Sequence, residues 1–146
     1  MTRPILLVDD DENDVVIMTM AMKKAGLSCL IRVARDGREA EDYLSGTGKF
    51  ADRNEYPLPY LILMDLKLPR VLGLEVLKWL RDRPEYDAII VLMLSSSPMP
   101  EDIRRAYRLR ANAYLVKPSG LENLQLMAQA IKDFWYTQNQ PAEVPG

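Results

Sequence analysis

"ILLVDDDEND", Ile5 to Asp14, runs four apolar residues directly into a cluster of five carboxylates: Asp9, Asp10, Asp11, Glu12 and Asp14. The apolar run has the length of a short buried strand. At its exit, like charges repel one another, and desolvation makes each acid harder to ionise. Something cationic belongs at that place, and the rest of the chain says what.

Outward from this stretch, four more apolar runs read as strands: Cys29–Ala34, Tyr60–Met64, Ala88–Leu94 and Ala113–Val116. None shows a clean in/out alternation, as expected of parallel strands covered on both faces. The segments between them have helical spacing. Asp14–Ala25 places Val15, Met18, Met22 and Ala25 on one side, and Asp36–Leu44 opens with Asp36 and Glu39 in capping-box spacing. Leu72–Arg81 carries Leu74, Leu77 and Leu80 and is blocked by Pro84, and Glu101–Arg110 follows the "SSSPMP" loop. A last helix starts at Ser119, with Glu122 three residues on, and buries Leu121, Leu124, Ala128, Ile131 and Trp135. Successive β–α units of this kind predict an α/β fold: a doubly wound, five-stranded parallel sheet with right-handed crossovers and helices on both faces.

The 146 residues fit one domain, residues 1–136, followed by a flexible tail over 137–146. The segment Ser45–Pro59 is long for an αβ connection, which marks it as functional or mobile. A net charge of -2 gives no general pull toward nucleic acid or membrane. Cys29 is the single cysteine, no apolar run reaches membrane-spanning length, and the N-terminal residues are acidic where a signal peptide would be basic. A soluble, cytoplasmic protein is the expectation. Histidine is absent altogether, which removes histidine-based acid–base catalysis, the triads that depend on it and most zinc sites. The chemistry must run on carboxylate, lysine and hydroxyl groups.

Those groups collect at strand ends. Strand one ends in Asp9–Asp10, strand three in Asp65, strand four in Ser95 and strand five in Lys117. Functional groups of open parallel sheets sit at the carboxyl ends of strands, near a switch in strand order. Under the order 2-1-3-4-5, strands one and three are neighbours, and Asp10 and Asp65 share a crevice as a divalent-cation site. Hard oxygen donors without thiolate or imidazole favour Mg²⁺ over zinc. A metal beside a lysine and a hydroxyl suits a phosphoryl group, with Asp65 placed as nucleophile.

The motifs "LLVDD", "LILMDLKLP", "VLMLSS" and "AYLVKP", in that order, resemble the receiver domain of two-component response regulators, the CheY-like family, from Pro4 to Trp135. The strand order above is taken from that family, in which CheY shows the flavodoxin-like arrangement. The resemblance implies that Asp65 is phosphorylated from the phosphohistidine of a partner sensor histidine kinase. It implies Mg²⁺ held by Asp10, Asp65 and the backbone carbonyl of Lys67, with Asp9 acting mostly through water. Ser95 and Lys117 stand at the family's catalytic hydroxyl and lysine, and Lys117–Pro118 is expected as a cis peptide. Tyr114 matches the aromatic switch coupled to Ser95. The long 45–59 loop, "LPR" at 68–70 and "DFW" at 133–135 resemble the stand-alone regulators of bacterial and cyanobacterial phytochromes. Lys67 departs from the frequent asparagine, which bears on autodephosphorylation.

Plainer readings stand beside these. Asp11, Glu12 and Asp14 read as charges favoured by a helix N-terminus. Arg104, Arg105, Arg108 and Arg110 read as a solvated face, or with strand five and the last helix as a partner face and a homodimer contact. Phe134, Trp135 and Tyr136 cannot all point inward from one helix. The same decapeptide also fits haloacid-dehalogenase-type phosphatases, with Asp9 as nucleophile and Asp11 as acid–base, but no acidic pair follows Lys117. A receiver that binds partners without phosphorylation is a further alternative. DNA binding rests on the arginine helix alone.

Overall fold

The structure, a computed structural model, describes residues 3–142. Five strands form one parallel sheet: β1 (Ile5–Val8), β2 (Ile31–Ala34), β3 (Leu61–Met64), β4 (Ile90–Ser95) and β5 (Ala113–Val116). Their order is β2-β1-β3-β4-β5, as expected. The helices are α1 (Glu12–Lys24), α2 (Gly37–Ser45), α3 (Gly73–Arg81), α4 (Pro100–Arg108) and α5 (Leu121–Ile131).

The missing in/out alternation has a direct cause. Leu6, Val8, Ile62, Met64, Val91 and Met93 face one core with α2, α3 and Ala106 of α4. Ile5, Leu7, Leu61, Leu63, Ile90, Leu92 and Leu94 face the other, against Val15, Met18 and Met22 of α1 and Ala128 and Ile131 of α5. Each strand alternates, but both destinations are apolar.

Strand ends match the expectation at Val8, Ala34, Met64 and Val116, while β2, β3 and β4 begin one or two residues later than expected and β4 extends through Ser95. Asp11 caps α1, its carboxylate accepting from the N–H groups of Asn13 and Asp14 at 2.9 and 3.2 Å. Asp36 caps α2 by accepting from Glu39 N–H at 2.7 Å.

The last helix is a correction. It starts at Leu121, with Gly120 as its N-cap at φ 85°, and Ser119 supplies a carbonyl to Asn123 instead of a capping hydroxyl. A positive φ of that size suits glycine. Leu121, expected in the core, is 42 % exposed.

The 45–59 segment is ordered. It contains a 3-10 turn at Gly48–Ala51. The Arg53 guanidinium donates to the carbonyls of Tyr43, Leu44 and Tyr56. Tyr43, Phe50 and Tyr56 pack ring against ring around it, and Arg32 of the edge strand β2 donates to the Glu55 carbonyl.

Beyond α5 the helix widens to π geometry over Lys132–Gln138, closed by Asn139 N–H on the Phe134 carbonyl at 2.7 Å. The first two residues of the tail expected to be flexible thus belong to this helix, and its residues 143–146 lie outside the described ones. The aromatic trio separates as geometry demands. Phe134 is exposed, Trp135 is half-buried, and Tyr136 meets Tyr60 edge to face and donates to the Arg3 carbonyl at 3.1 Å. No helix among the described residues is long and apolar enough to cross a membrane.

Candidate functional site

Register assembles the site. Val8 is paired with Met64 and Ala34, Met64 with Met93, and Ser95 with Val116. The ladder continues one residue past the strands: Asp65 N–H donates to the Val8 carbonyl, Asp9 N–H to Ala34, and Lys117 N–H to Ser95. Asp9, Asp65 and Lys117 therefore leave the sheet together at its carboxyl edge.

Lys117 stands at the centre of this edge. Its ammonium donates to Asp9 Oδ2 at 3.1 Å, Asp65 Oδ2 at 3.1 Å and Asp14 Oδ2 at 3.0 Å. Carboxylate oxygens of Asp9, Asp10 and Asp65 lie within 4.8 Å of one another. Asp9 also accepts from Asp11 N–H, and the other oxygen of Asp65 faces Lys67 N–H at 3.3 Å. Burial pushes the Asp9 carboxyl above its usual range, against the pull of the Asp11 N–H and the Lys117 charge. For Lys117, burial alone would lower the ammonium, but the hydrogen bond to Asp14 and the charges of Asp65 and Asp9 outweigh it and hold the group above the usual lysine value. With Asp10 counted, four carboxylates face one lysine. The surplus negative charge, the all-oxygen donor set and the disfavoured ionisation of Asp9 fit a hard divalent cation.

Ser95 is 1 % exposed, and its Oγ accepts from Ser97 N–H at 3.1 Å. Tyr114 donates its hydroxyl to the Ser97 carbonyl at 2.8 Å, so Ser95 and Tyr114 meet on the same short segment. Tyr107 of α4 accepts from Tyr114 N–H at 3.2 Å, and Ser97 donates to Asp102 at 2.6 Å, which ties the segment to α4.

Lys117–Pro118 requires a second correction, because no cis peptide bond occurs among the described residues. The trans form is the intrinsically favoured one before proline, and with it the Lys117 ammonium already reaches all three acids.

Asp14 is the site residue that sequence reasoning misses, since its position suits the helix macrodipole equally well. In the first turn of α1 it reaches back over the strand ends, a placement visible only once β5 is known to lie opposite. Asp11 does act as a helix-terminal charge, and this use of its carboxylate leaves it unsuited to the acid–base role of a dehalogenase-type phosphatase. Arg104, Arg105 and Arg108 are exposed on α4, whereas Arg110, just beyond it, donates to the Arg81 carbonyl. Arg81, which the sequence marks only as the end of a helix, is buried and donates to the Arg110 carbonyl and to Asn112 Oδ1 at 3.0 and 2.9 Å, tying α3 to the start of β5.

A family model described as the response regulator receiver domain matches residues 5–129. The chain belongs to that family. Among curated relatives, this receiver is 35 % identical over 136 residues to a probable methanogenesis regulatory protein, FilR2, of Methanothrix harundinacea, covering 93 % of this chain and 85 % of that one. It is 34 % identical over 131 residues to the response regulator Rcp1 of Synechocystis, covering 90 % and 87 %. A solved structure of Rcp1, in its Mn²⁺-bound form, superposes with a TM-score of 0.86 at 32 % identity, covering 97 % and 99 %. The phosphorylated cyanobacterial phytochrome response regulator RcpA superposes with a TM-score of 0.90 at 31 % identity, over 98 % and 100 %. The receiver is thus a response regulator of two-component signalling, and a histidine kinase is its implied partner.

Proposed function

We propose that this receiver is a phosphorylation switch whose acceptor is Asp65. A carboxylate oxygen of Asp65 attacks the phosphorus of a kinase phosphohistidine. The O–P bond forms as the N–P bond breaks, and the imidazole leaves with the electron pair and takes up a proton. The supporting observation is the Lys117 ammonium bridging Asp9 and Asp65 at 3.1 Å beside Asp10.

Asp10 and Asp65, with the Lys67 carbonyl, would hold Mg²⁺, and Asp9 would act mostly through water. The cation supplies neutralisation of phosphoryl charge when bound. Lys117 holds the transferring oxygens, and the Ser95 hydroxyl donates to one of them. A shift of the Ser95 hydroxyl toward that oxygen would pull on Ser97, whose N–H it accepts, and through the Ser97 carbonyl it reaches Tyr114, the switch. Slow hydrolysis of the acyl phosphate returns the protein to its starting state. The protein is cytoplasmic, signals through protein contacts rather than nucleic acid, and pairs with a second copy through α4, β5 and α5. The similarity to RcpA supports a phytochrome-type light-sensing kinase as the donor.

A phosphate-affinity gel of the wild type and Asp65→Asn, after phosphoramidate treatment with Mg²⁺ or with EDTA, tests the reading. A shifted band that needs both Mg²⁺ and Asp65 is expected. A shift that survives in Asp65→Asn would overturn the assignment, and absence of any shift would leave a receiver that binds partners unphosphorylated.

A further inference from the structure

An ammonium group has three N–H donors. Lys117 uses all three on carboxylates, Asp9 and Asp65 at 3.1 Å and Asp14 at 3.0 Å. A phosphoryl oxygen can therefore be received by Lys117 only when one carboxylate lets go.

The three are not equivalent. The Asp9 side chain is 5 % exposed, and losing its cation would strand a buried anion. Asp65, at 14 %, is the acceptor itself and faces the metal cluster. Asp14 stands apart from that cluster, belongs to the first turn of α1, and has a side chain 45 % exposed, so water can replace Lys117 at small cost. Its contact also crosses from α1 to the β5–α5 connection beside a cavity of about 60 Å³ lined by Ile17, Met18, Leu94 and Leu124, among others. Release of Asp14 removes the polar tie across that seam and leaves the apolar contacts in place.

We propose that Asp14 is the release partner of Lys117: it holds the ammonium in the unphosphorylated receiver and yields to solvent when the phosphoryl group arrives. Asp14 and the phosphoryl group compete for one N–H, and Asp14 biases the switch toward its resting state. It is a positioning residue, acting through Lys117, and the proposal rests on the reading of Asp65 as acceptor.

The test is calorimetric titration of beryllofluoride, a stable phosphoryl mimic, into the Mg²⁺-saturated full chain, with Mg²⁺ titrated separately. Asp14→Asn and Asp14→Ala should bind beryllofluoride roughly three- to fivefold more tightly than the wild type, with Mg²⁺ affinity within about twofold. Glu12→Gln is the control, because it removes an equal charge from the same turn while its side chain pairs with Arg35 rather than Lys117. It should move beryllofluoride affinity by less than about twofold. Unchanged or weakened beryllofluoride binding in both Asp14 variants would show that the Asp65 contact gives way instead, and would overturn the proposal. Tightening matched by Glu12→Gln would reduce the effect to bulk charge, with the same consequence. A wild type that takes up Mg²⁺ but no beryllofluoride would instead fail the acceptor reading, and this proposal with it. Thermal melts establish that each variant is folded.

Discussion

Tyr43 is 1 % exposed, and its hydroxyl donates to the Pro57 carbonyl at 2.9 Å. Burial pushes its phenol up from 10.0 to about 12. Between those two values the unfolded chain gives up the proton while the folded protein keeps it. Stability from this group is thus complete below pH 10 and falls as pH rises toward 12, by at most about 1.4 kcal/mol per pH unit. Tyr43→Phe should lose about 1 kcal/mol at neutral pH, the worth of one hydrogen bond. It should then decline less steeply than the wild type in urea melts between pH 10 and 12, and parallel decline of the two would refute the account. The sequence marks Tyr43 as a helix residue and no more, because its partner Pro57 belongs to a loop whose course depends on Arg53. Asp14 is the same case at the functional edge. Residue types and strand ends reveal Asp9, Asp10, Asp65, Ser95 and Lys117, since each ends or follows an apolar run that locates it. Asp14 follows none, and only the three-dimensional approach of β5 to α1 gives it a partner.

The connection from β3 to α3 carries Asp65 and Lys67, and two glycines let it lie where it does. A Cβ on Gly73 would fall 2.1 Å from the Asp65 carbonyl, and one on Gly37, at the start of α2, 1.9 Å from the Val71 carbonyl. Both obstacles are backbone, so neither can turn aside as a flexible side chain does. Arg70, at φ 69°, and its ion pair with Asp36 at 3.8 Å close the same loop against α2. Gly37→Ala should therefore act at a distance, displacing Val71 and with it the loop that holds Asp65. The expected cost is roughly 1–3 kcal/mol, as for other overpacked sites, together with weaker Mg²⁺ binding in calorimetry. A lowered melting temperature with unchanged Mg²⁺ affinity would show that the loop absorbs the shift before it reaches Asp65. The elements themselves are largely legible in the sequence, because apolar runs and Asp caps are local signals. The start of α5 is not: Ser119 and Glu122 have capping-box spacing, but Gly120 at φ 85° takes the cap position between them.

At the scale of the molecule, the α/β class follows from strands without alternation, and two apolar cores on opposite faces of the sheet explain why. Assembly is harder to read from periodicity, since an apolar side chain that meets a second chain has the same spacing as one that meets the core. In the fold the two can be separated. β5 is an edge strand, and Val116 on it is 42 % exposed. Tyr107 on α4 is 50 % exposed and accepts from Tyr114 N–H of the same strand, whereas Leu126 on α5, 68 % exposed, borders Lys24 and Ala25 at the end of α1 instead. Arg104, Arg105 and Arg108 on α4 add charge to this side of the molecule, which discourages non-specific contact. The proposed homodimer places Val116 near the middle of a paired face, where a carboxylate would be desolvated against apolar neighbours. Val116→Asp should therefore sediment at the mass of one chain under conditions where the wild type sediments as two. Its circular dichroism should be unchanged, because Val116 contributes little to the core on its own sheet. A wild type that stays at one-chain mass when concentrated, both phosphorylated and not, would remove the dimer and leave this face to another partner. If phosphorylation alone brings the wild type to two-chain mass, the link from Ser95 through Ser97 to Tyr114 is the route by which Asp65 reaches β5, and Tyr114→Phe should keep the phosphate label but lose that response.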